Sequence, residues 1–427
     1  MHPRSPMSSM LMVALATITP VTDADTITVC PDGCDHASIN AAIEAAHDGD
    51  IIQLSVGRYE EGQPIDALGK AITIRGVLDR SGRPRTTLVG IDEAHHVVEA
   101  DRSARHPVVF DGLAVTNGRL QAGPGTTVRG CWFIGGDLGR GVLEARGDCR
   151  VEECTFTGLA EFGLFTVPDE SERAPVISGC RFVHNQAFNA LAFISQGTVL
   201  EDCEFAHNTN CCSALIVAMS EGSLPGTAVT IRRCRFASNQ AMAIHGYDLP
   251  LAISECIATG NEADAFIHHR HEPLQMARCH LEGNEWSRET ISCPEGSGTF
   301  VDCAFLDASP DEGGPRWFHG PLGSDATPPA FGGCTFNRCH LGDDHDPDAF
   351  AHVDLGGNRV PDDCDPACQA DIAGADGRVD AEDLGMMLAA IGGDEPAADL
   401  NHDGWVDGTD LGILMLAWGS CDRRAGS

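Results

Sequence analysis

The sequence predicts an all-β solenoid, a right-handed parallel β-helix, with an N-terminal capping helix and a small α-helical module behind it. Three observations carry that expectation. The first is a phrase repeated nine times: an apolar residue, two variable residues, Cys, one variable residue and usually Phe. It reads Val128-x-x-Cys131-x-Phe133, Val151-x-x-Cys154-x-Phe156 and Ile177-x-x-Cys180-x-Phe182, and continues at Cys203, Cys234, Cys256, Cys279, Cys303 and Cys334. Successive cysteines are 23, 26, 23, 31, 22, 23, 24 and 31 residues apart, a period at which each unit is one turn of a stack. The second is geometric. A straight strand alternates its faces, so the residue three before the Cys would point away from it. For both to face one core, the chain must bend just before the Cys, where Gly130, Gly179 and Gly333 suit a left-handed turn. The third is a recurring Asn five residues after the Cys, at Asn185, Asn208, Asn239, Asn261 and Asn284. Asn at a turn adopts positive φ and can hydrogen-bond its own copy in the next coil.

A finer row sits just before the Cys: Asp202, Arg233, Glu255, Arg278, Asp302, with Arg181, Glu204, Arg235 and His280 among the residues just after. Coils stack about 4.8 Å apart, so the first row alternates charge down the stack and fixes register, because opposite charges on neighbouring strands attract and like charges repel. With its Cys, Phe and Asn rows, the chain over roughly residues 25–340 resembles the pectin-lyase-like superfamily of secreted β-helices.

Taken in order, residues 1–24 read as a secretory signal: Arg4, an apolar run Met10–Ile18, and small residues at Thr22-Asp-Ala24. That run is too short to span a membrane, and no later stretch is long enough. The expected location is therefore extracellular, secreted or at the cell surface. Residues 25–100 hold the N-terminal cap and first coils. Ser38–Ala46 has helical apolar spacing, Ile51–Leu54 and Lys70–Gly76 read as strands, and Gly57-Arg-Tyr59 as a turn. An end cap is needed because an open coil exposes unpaired strand edges. Residues 101–340 form the β-helix. Val108–Val115 fits a coil without the Cys, and Trp286, Trp317 and the Gly/Pro-rich stretch 308–333 suggest a loop excursion. Residues 341–368 are an acidic linker, within which Asp354–Cys364 weakly resembles a thrombospondin type-3 calcium repeat; 422–427 are a tail.

Residues 369–421 carry the most specific motif. Asp399-Leu-Asn401-His-Asp403-Gly404-Trp405-Val-Asp407-Gly-Thr-Asp410 has the spacing of an EF-hand-type loop. Ca²⁺ ligands fall at positions 1, 3, 5, 7 (the Trp405 carbonyl), 9 and 12, with Gly at 6 for the sharp turn. Leu411, Leu414, Met415 and Trp418 then follow on one helix face. A partner unit, 27 residues earlier, has Asp376, Asp380 and Asp383, then Leu384, Met387, Leu388 and Ile391, with Asp371 one residue too far upstream of the first ligand position. The duplicated loop–helix unit resembles a type I dockerin, which implies Ca²⁺ and a cohesin-like or cell-surface partner. Positions 10 and 11, Ala381-Glu382 and Gly408-Thr409, are not the hydroxyl pair often seen in dockerins. The first loop lacks a position-3 ligand, so the second is expected to bind the stronger.

Composition bounds partners. The net charge is −35 and the isoelectric point about 4.6, which argues against nucleic acid. From residue 341 onward there are 20 Asp/Glu against 4 Arg, a local net of −16. Lys70 is the only lysine. Outside the nine-membered row, Cys30-Pro-Asp-Gly-Cys34 favours a disulfide over a metal pair, Cys364 or Cys368 could staple Cys421, and an odd total of 19 leaves at least one thiol unpaired.

β-Helix lyases use an Arg or Lys base, and β-helix glycoside hydrolases clustered Asp residues; no paired-Asp motif stands on a coil strand. The polar cluster that three successive coils place side by side is His245, Tyr247 and Asp248; His268, His269, Arg270, His271 and Glu272; and Arg288 and Glu289. His near neutrality shuttles protons and Arg pairs with carboxylates. The catalytic candidates are thus His245, Asp248, His269, Arg270 and Glu272, with Arg270 or His269 as base toward an acidic sugar. The corresponding function is polysaccharide binding or processing, by lyase or glycoside hydrolase chemistry. The competing reading is a non-catalytic surface or adhesion rod with a solvated polar edge.

Overall fold

The computed structural model describes residues 24–90, 96–99, 107–135, 142–160, 162–168, 173–188, 190–220, 227–287, 289–293, 298–306, 316–319, 330–336, 353–355, 358, 370, 372–373, 378–393, 395, 398–400, 405–416 and 418–420. Three parallel sheets of 14, 12 and 11 strands run the length of a solenoid of about ten turns. One coil shows the plan: Val176–Ser178 lies in the first sheet, Arg181–Val183 in the second and Ala192–Ser195 in the third. The next coil repeats it in register, Ile177 on Leu200 and Phe182 on Phe205.

The bend before the Cys is present in all nine coils. The residue there has φ between 52° and 65°, at Gly130, Glu153, Gly179, Asp202, Arg233, Glu255, Arg278, Asp302 and Gly333. Six of these are not glycine, although a left-handed L-residue costs roughly 1–2 kcal/mol. The alternating charge row and the turn row are therefore the same residues. Their side chains point out and pair between coils: Arg233 Nε donates to Asp202 Oδ1 at 2.7 Å, and Arg278 to Glu255 at 2.5 Å. Arg181 pairs likewise with Glu204 at 2.7 Å.

Inside, the apolar residues three before the Cys, from Val128 to Phe331, are all buried. Phe133, Phe156, Phe182, Phe205 and Phe236 stack face to face with centroids 4.9, 4.4, 4.6 and 5.2 Å apart. The nine thiols stand in file, buried and free. Cys154 Sγ, for instance, donates to Glu152 O at 3.3 Å or to Val128 O of the preceding coil at 3.4 Å. Burial in the apolar core pushes the Cys154 thiol well up, and with the whole row closed off from solvent these thiols pack as small apolar fillers.

The Asn row bonds as expected but in a different backbone state. The left-handed residue is the one before it, His184, His207, Ser238, Gly260 or Gly283. That residue turns the corner, which leaves each Asn side chain directed inward. Asn185, Asn208, Asn239 and Asn261 each donate Nδ2–H to Oδ1 of the next Asn at 2.9, 2.9, 2.9 and 2.7 Å. The same amide reaches back one coil, as Asn208 does to Phe182 O at 2.8 Å.

The cap is α1, Ile39–Ala45. Ser38 caps it, Glu61 accepts from Ile39 N at 2.6 Å, and Ile39, Ala42 and Ile43 close the core. Lys70 Nζ donates to the carbonyls of Ile43, Glu44 and Ala46 at 2.6, 2.9 and 2.8 Å, satisfying the helix end. Gly57–Tyr59 is a strand of the second sheet, not a turn, because it pairs with Thr86–Leu88. Trp286 belongs to no excursion either: it is buried in the short strand Glu285–Trp286. Trp317 lies within the strand Arg316–His319, paired to Glu289–Ser292. Cys30 and Cys34 form the disulfide.

In the C-terminal module, α2 (Ala381–Ala390) and α3 (Gly408–Leu416) pack around Val379, Met387, Val406 and Leu414. Arg378–Val379 pairs antiparallel with Gly419–Ser420. The expected apolar faces are only half used. Leu384 and Leu411 are partly buried, whereas Leu388, Ile391, Met415 and Trp418 are exposed. No helix among the described residues is long and apolar enough to cross a membrane.

Two outcomes follow. Asn239→Ala, which strands the groups of Asn208 and Asn261, lowers unfolding free energy by about 2–4 kcal/mol in a denaturant titration. Arg233→Glu places like charges beside Asp202 and Glu201 and lowers the melting temperature; an unchanged midpoint would remove the register role.

Candidate functional site

The outer face of the third sheet gathers most of the expected cluster. Strands Thr209–Met219, Gln240–Tyr247 and Ile267–Arg270 stack in register, so Val217, His245 and His268 form one column and Met219, Tyr247 and Arg270 the next. Arg270 Nε donates to His268 Nε2 at 2.8 Å, which requires His268 to be neutral there. The Arg270 guanidinium lies 6.0 Å from the Tyr247 ring centre, and His245 packs on Tyr247 and His268 at 4.0 and 4.9 Å. In the turns that follow, Asp248 and His271 both have positive φ and meet through Asp248 Oδ1 and His271 Nδ1 at 2.6 Å.

His269 departs from the expectation. Alternation puts Ile267 and His269 inward and His268 and Arg270 outward. His269 is fully buried, and neither ring nitrogen makes a hydrogen bond. It fits only because Gly246, its neighbour in register, has no side chain; a Cβ there would collide with His269 Nδ1. Burial pulls its pKa down to about 4. His269 is therefore a neutral core residue and not a base facing ligand. Glu272 sits in the turn, its N–H donating to Arg270 O, with no side-chain contact to the cluster among those described. Arg288 and the Glu289 side chain lie outside the described residues.

His245 is also pulled to about 4, by burial first and then by its ionisable neighbours, the Arg270 guanidinium among them. The face thus offers neutral imidazoles, one guanidinium held in place, and an exposed His–Asp pair.

Sequence reasoning missed a second polar group on the same face. Glu144 pairs with Arg119 at 3.2 Å, accepts from Gln121 Nε2 at 3.2 Å, and also grips Arg146. Glu144, Arg119 and Gln121 are buried, while the Arg146 side chain is 30 % exposed. The signal was there as Arg119-x-Gln121 and Glu144-x-Arg146, polar at alternate positions of otherwise apolar strands. In register, Glu144 is followed by Phe165 and Phe193, stacked at 5.4 Å, and then by Val217.

Among the expected Ca²⁺ ligands, Asp371, Asp376, Asn401 and Asp403 lie outside the described residues. Asp380 caps α2 with Asp383 in a reciprocal box, and Asp410 accepts from Asp407 N at 2.7 Å. Asp383, Asp399 and Asp410 are buried, and Trp405 is exposed. Among the described residues, no group of three His, Cys, Asp or Glu side chains is placed to hold a metal.

Residues 111–286 match the family model for a right-handed β-helix region. No curated protein matches the chain. Solved structures similar in fold include a PL6 family polysaccharide lyase from Pseudopedobacter saltans, 11% identical over 79% of this chain and 92% of that one, TM-score 0.46. A GH87 α-1,3-glucanase catalytic unit from Streptomyces thermodiastaticus is 15% identical over 81% and 71%, TM-score 0.47. The surface adhesin PfbA of Streptococcus pneumoniae is 12% identical over 61% and 85%, TM-score 0.40.

The two depressed imidazoles set a pH dependence. Between the free imidazole value and about 4, the unfolded chain binds protons that folded His245 and His269 refuse. Stability is therefore fully present above about pH 6.5 and falls as pH drops toward 4. Calorimetry at pH 7, 5.5 and 4.5 should show this fall, and a smaller one in His269→Leu.

Proposed function

We propose that the protein is an exported β-helix that binds or processes an acidic polysaccharide on the outer face of its third sheet. The observation that carries this reading is the register that brings Tyr247, His268 and Arg270 onto one face beside the Asp248–His271 pair. Arg270, oriented by His268, matches a uronate carboxylate. Asp248 engages His271 through Nδ1, which directs proton transfer to the ring's other nitrogen. His245 stays neutral and lines the face with Tyr247.

The C-terminal module fits Ca²⁺ through the chemistry of its donors: Asp399, Asp407, Asp410 and the Trp405 carbonyl, with Asn401 and Asp403 completing the sequence pattern. In this reading the ion clips the loop, and the exposed Leu388, Ile391, Met415 and Trp418 form an attachment surface for a cohesin-like or cell-surface partner. A non-catalytic adhesion rod is the second reading. It is favoured by the third sheet's outer face, where no two described carboxylates are neighbours in register.

The test is incubation with polyuronates and neutral glucans, followed for unsaturated products and reducing ends. Turnover that falls at least about 100-fold in Asp248→Asn and His271→Ala supports processing. Binding lost in Arg270→Ala without turnover in the wild type supports the rod, and no interaction with any polysaccharide sinks the proposal. For the module, Ca²⁺ added to chelated protein should raise its melting temperature in the wild type but not in Asp399→Ala.

A further inference from the structure

Along much of the solenoid an exposed arginine holds a carboxylate, as Arg129, Arg181, Arg232, Arg233 and Arg278 do. Among the described residues Arg58, Arg80, Arg83 and Arg85 hold none, and all four are exposed. They stand together at the N-terminal end of the second sheet. Arg58 lies on the outer face of Gly57–Tyr59, and its column continues through Thr87 and Ala114 to Trp132. At about 4.8 Å per coil those three steps make ~14 Å.

Arg80, Arg83 and Arg85 come from residues 77–85, which leave the first sheet and fold on themselves before entering the second. Leu78 bridges Pro84 antiparallel, Asp79 N donates to Arg83 O at 2.8 Å, and Arg85 N donates to Val77 O at 2.7 Å. Asp79 Oδ1 fixes the tip of this hairpin, accepting from Ser81 N, Ser81 Oγ and Arg83 N at 2.8, 2.6 and 3.0 Å. Leu78 seats against Gly112, where a Cβ would stand 3.0 Å from Leu78 Cδ2. From the hairpin the Arg83 guanidinium reaches over the Trp132 ring, 5.0 Å from its centre. A guanidinium laid on an aromatic ring is held flat, while its in-plane N–H groups stay able to donate.

The described acids on this face and its hairpin are Asp79, whose Oδ1 is taken by the turn, and Glu60, exposed just past Arg58. Around the corner Asp111 is held between Arg75 and Arg129, and Glu152 and Glu153 follow one coil on. One guanidinium fork fills a carboxylate, whereas a sulfate or phosphate ester turns three oxygens toward several guanidiniums. A net charge of −35 repels a nucleic acid. Cations spread along the axis suit ester groups repeated on a saccharide better than one free ion.

We propose that the hairpin 77–85, with Arg58 and Trp132, is a binding site for sulfate or phosphate esters carried on a saccharide. It lies on the second sheet, apart from the Arg270 face, and does not rest on the reading of that face.

The experiment is titration calorimetry of the full chain, at low and at physiological ionic strength, with four probes: sulfated maltotriose, phosphorylated maltotriose, plain maltotriose and phosphatidylglycerol vesicles. The expected result is binding of the esterified trisaccharides that weakens as salt rises, and none of the plain one. Arg83→Met combined with Arg85→Met should weaken it at least about tenfold, while Arg270→Ala leaves it within about twofold. Arg58→Glu, at an exposed strand position, should also weaken it and keeps the test open if the double variant fails to fold. Unchanged affinity in the hairpin and Arg58 variants overturns the site. Loss in Arg270→Ala alone overturns it too, and leaves the Arg270 reading standing. Binding of plain maltotriose as tight as of the esters overturns the oxyanion requirement. Binding to the vesicles with neither esterified trisaccharide overturns the saccharide in favour of a lipid headgroup, and no binding to any probe overturns the proposal.

Discussion

Everything in this solenoid depends on vertical repetition: a residue must sit on a residue that tolerates the same environment, about 4.8 Å away. The parallel ladders supply the backbone bonds, but the corners decide whether the stack can close. There the chain turns inward polar groups that no strand partner reaches. The Asn row answers this, each side chain bonding the coil before and the coil after. Because each interior Asn is both donor to one neighbour and acceptor for the other, the row is cooperative: Asn208, Asn239 or Asn261 cannot be lost without stranding two.

The outer corner solves a different problem. Left-handed turns are costly for L-residues, yet six of nine positions before the Cys use charged ones. Side chains that leave the turn point straight into solvent, where Asp202, Arg233, Glu255 and Arg278 meet their copies one coil away. Individually such exposed pairs contribute little. As a row they distinguish the correct register from one shifted by a coil, which a uniform glycine row could not.

Periodic features were legible in the sequence because periodicity survives without coordinates. The Cys, Phe and Asn rows and the bend fall into that class, while the capping helix and the Cys30–Cys34 disulfide were legible from local spacing alone. What was misread was phase within a strand. Ile267-His268-His269-Arg270 alternates, and anchoring Ile267 inward puts His269 in the core beside Gly246. The Glu144 network escaped for a related reason: the arginines and amide that complete it stand in coils whose third-sheet strands bear no repeated marker. The Asn backbone state was assigned to the wrong residue by one position, since the motif shows which residue recurs, not which one turns. The duplicated spacing of 27 residues in the C-terminal module has a visible counterpart in the paired core positions Val379/Val406 and Met387/Leu414.

The sole lysine closes the N-terminal cap, its ammonium engaged by three helix carbonyls. The side chains of this solenoid therefore offer no loose primary amine. Reagents that condense with side-chain amines would therefore meet only this one ammonium, already engaged in closing the cap.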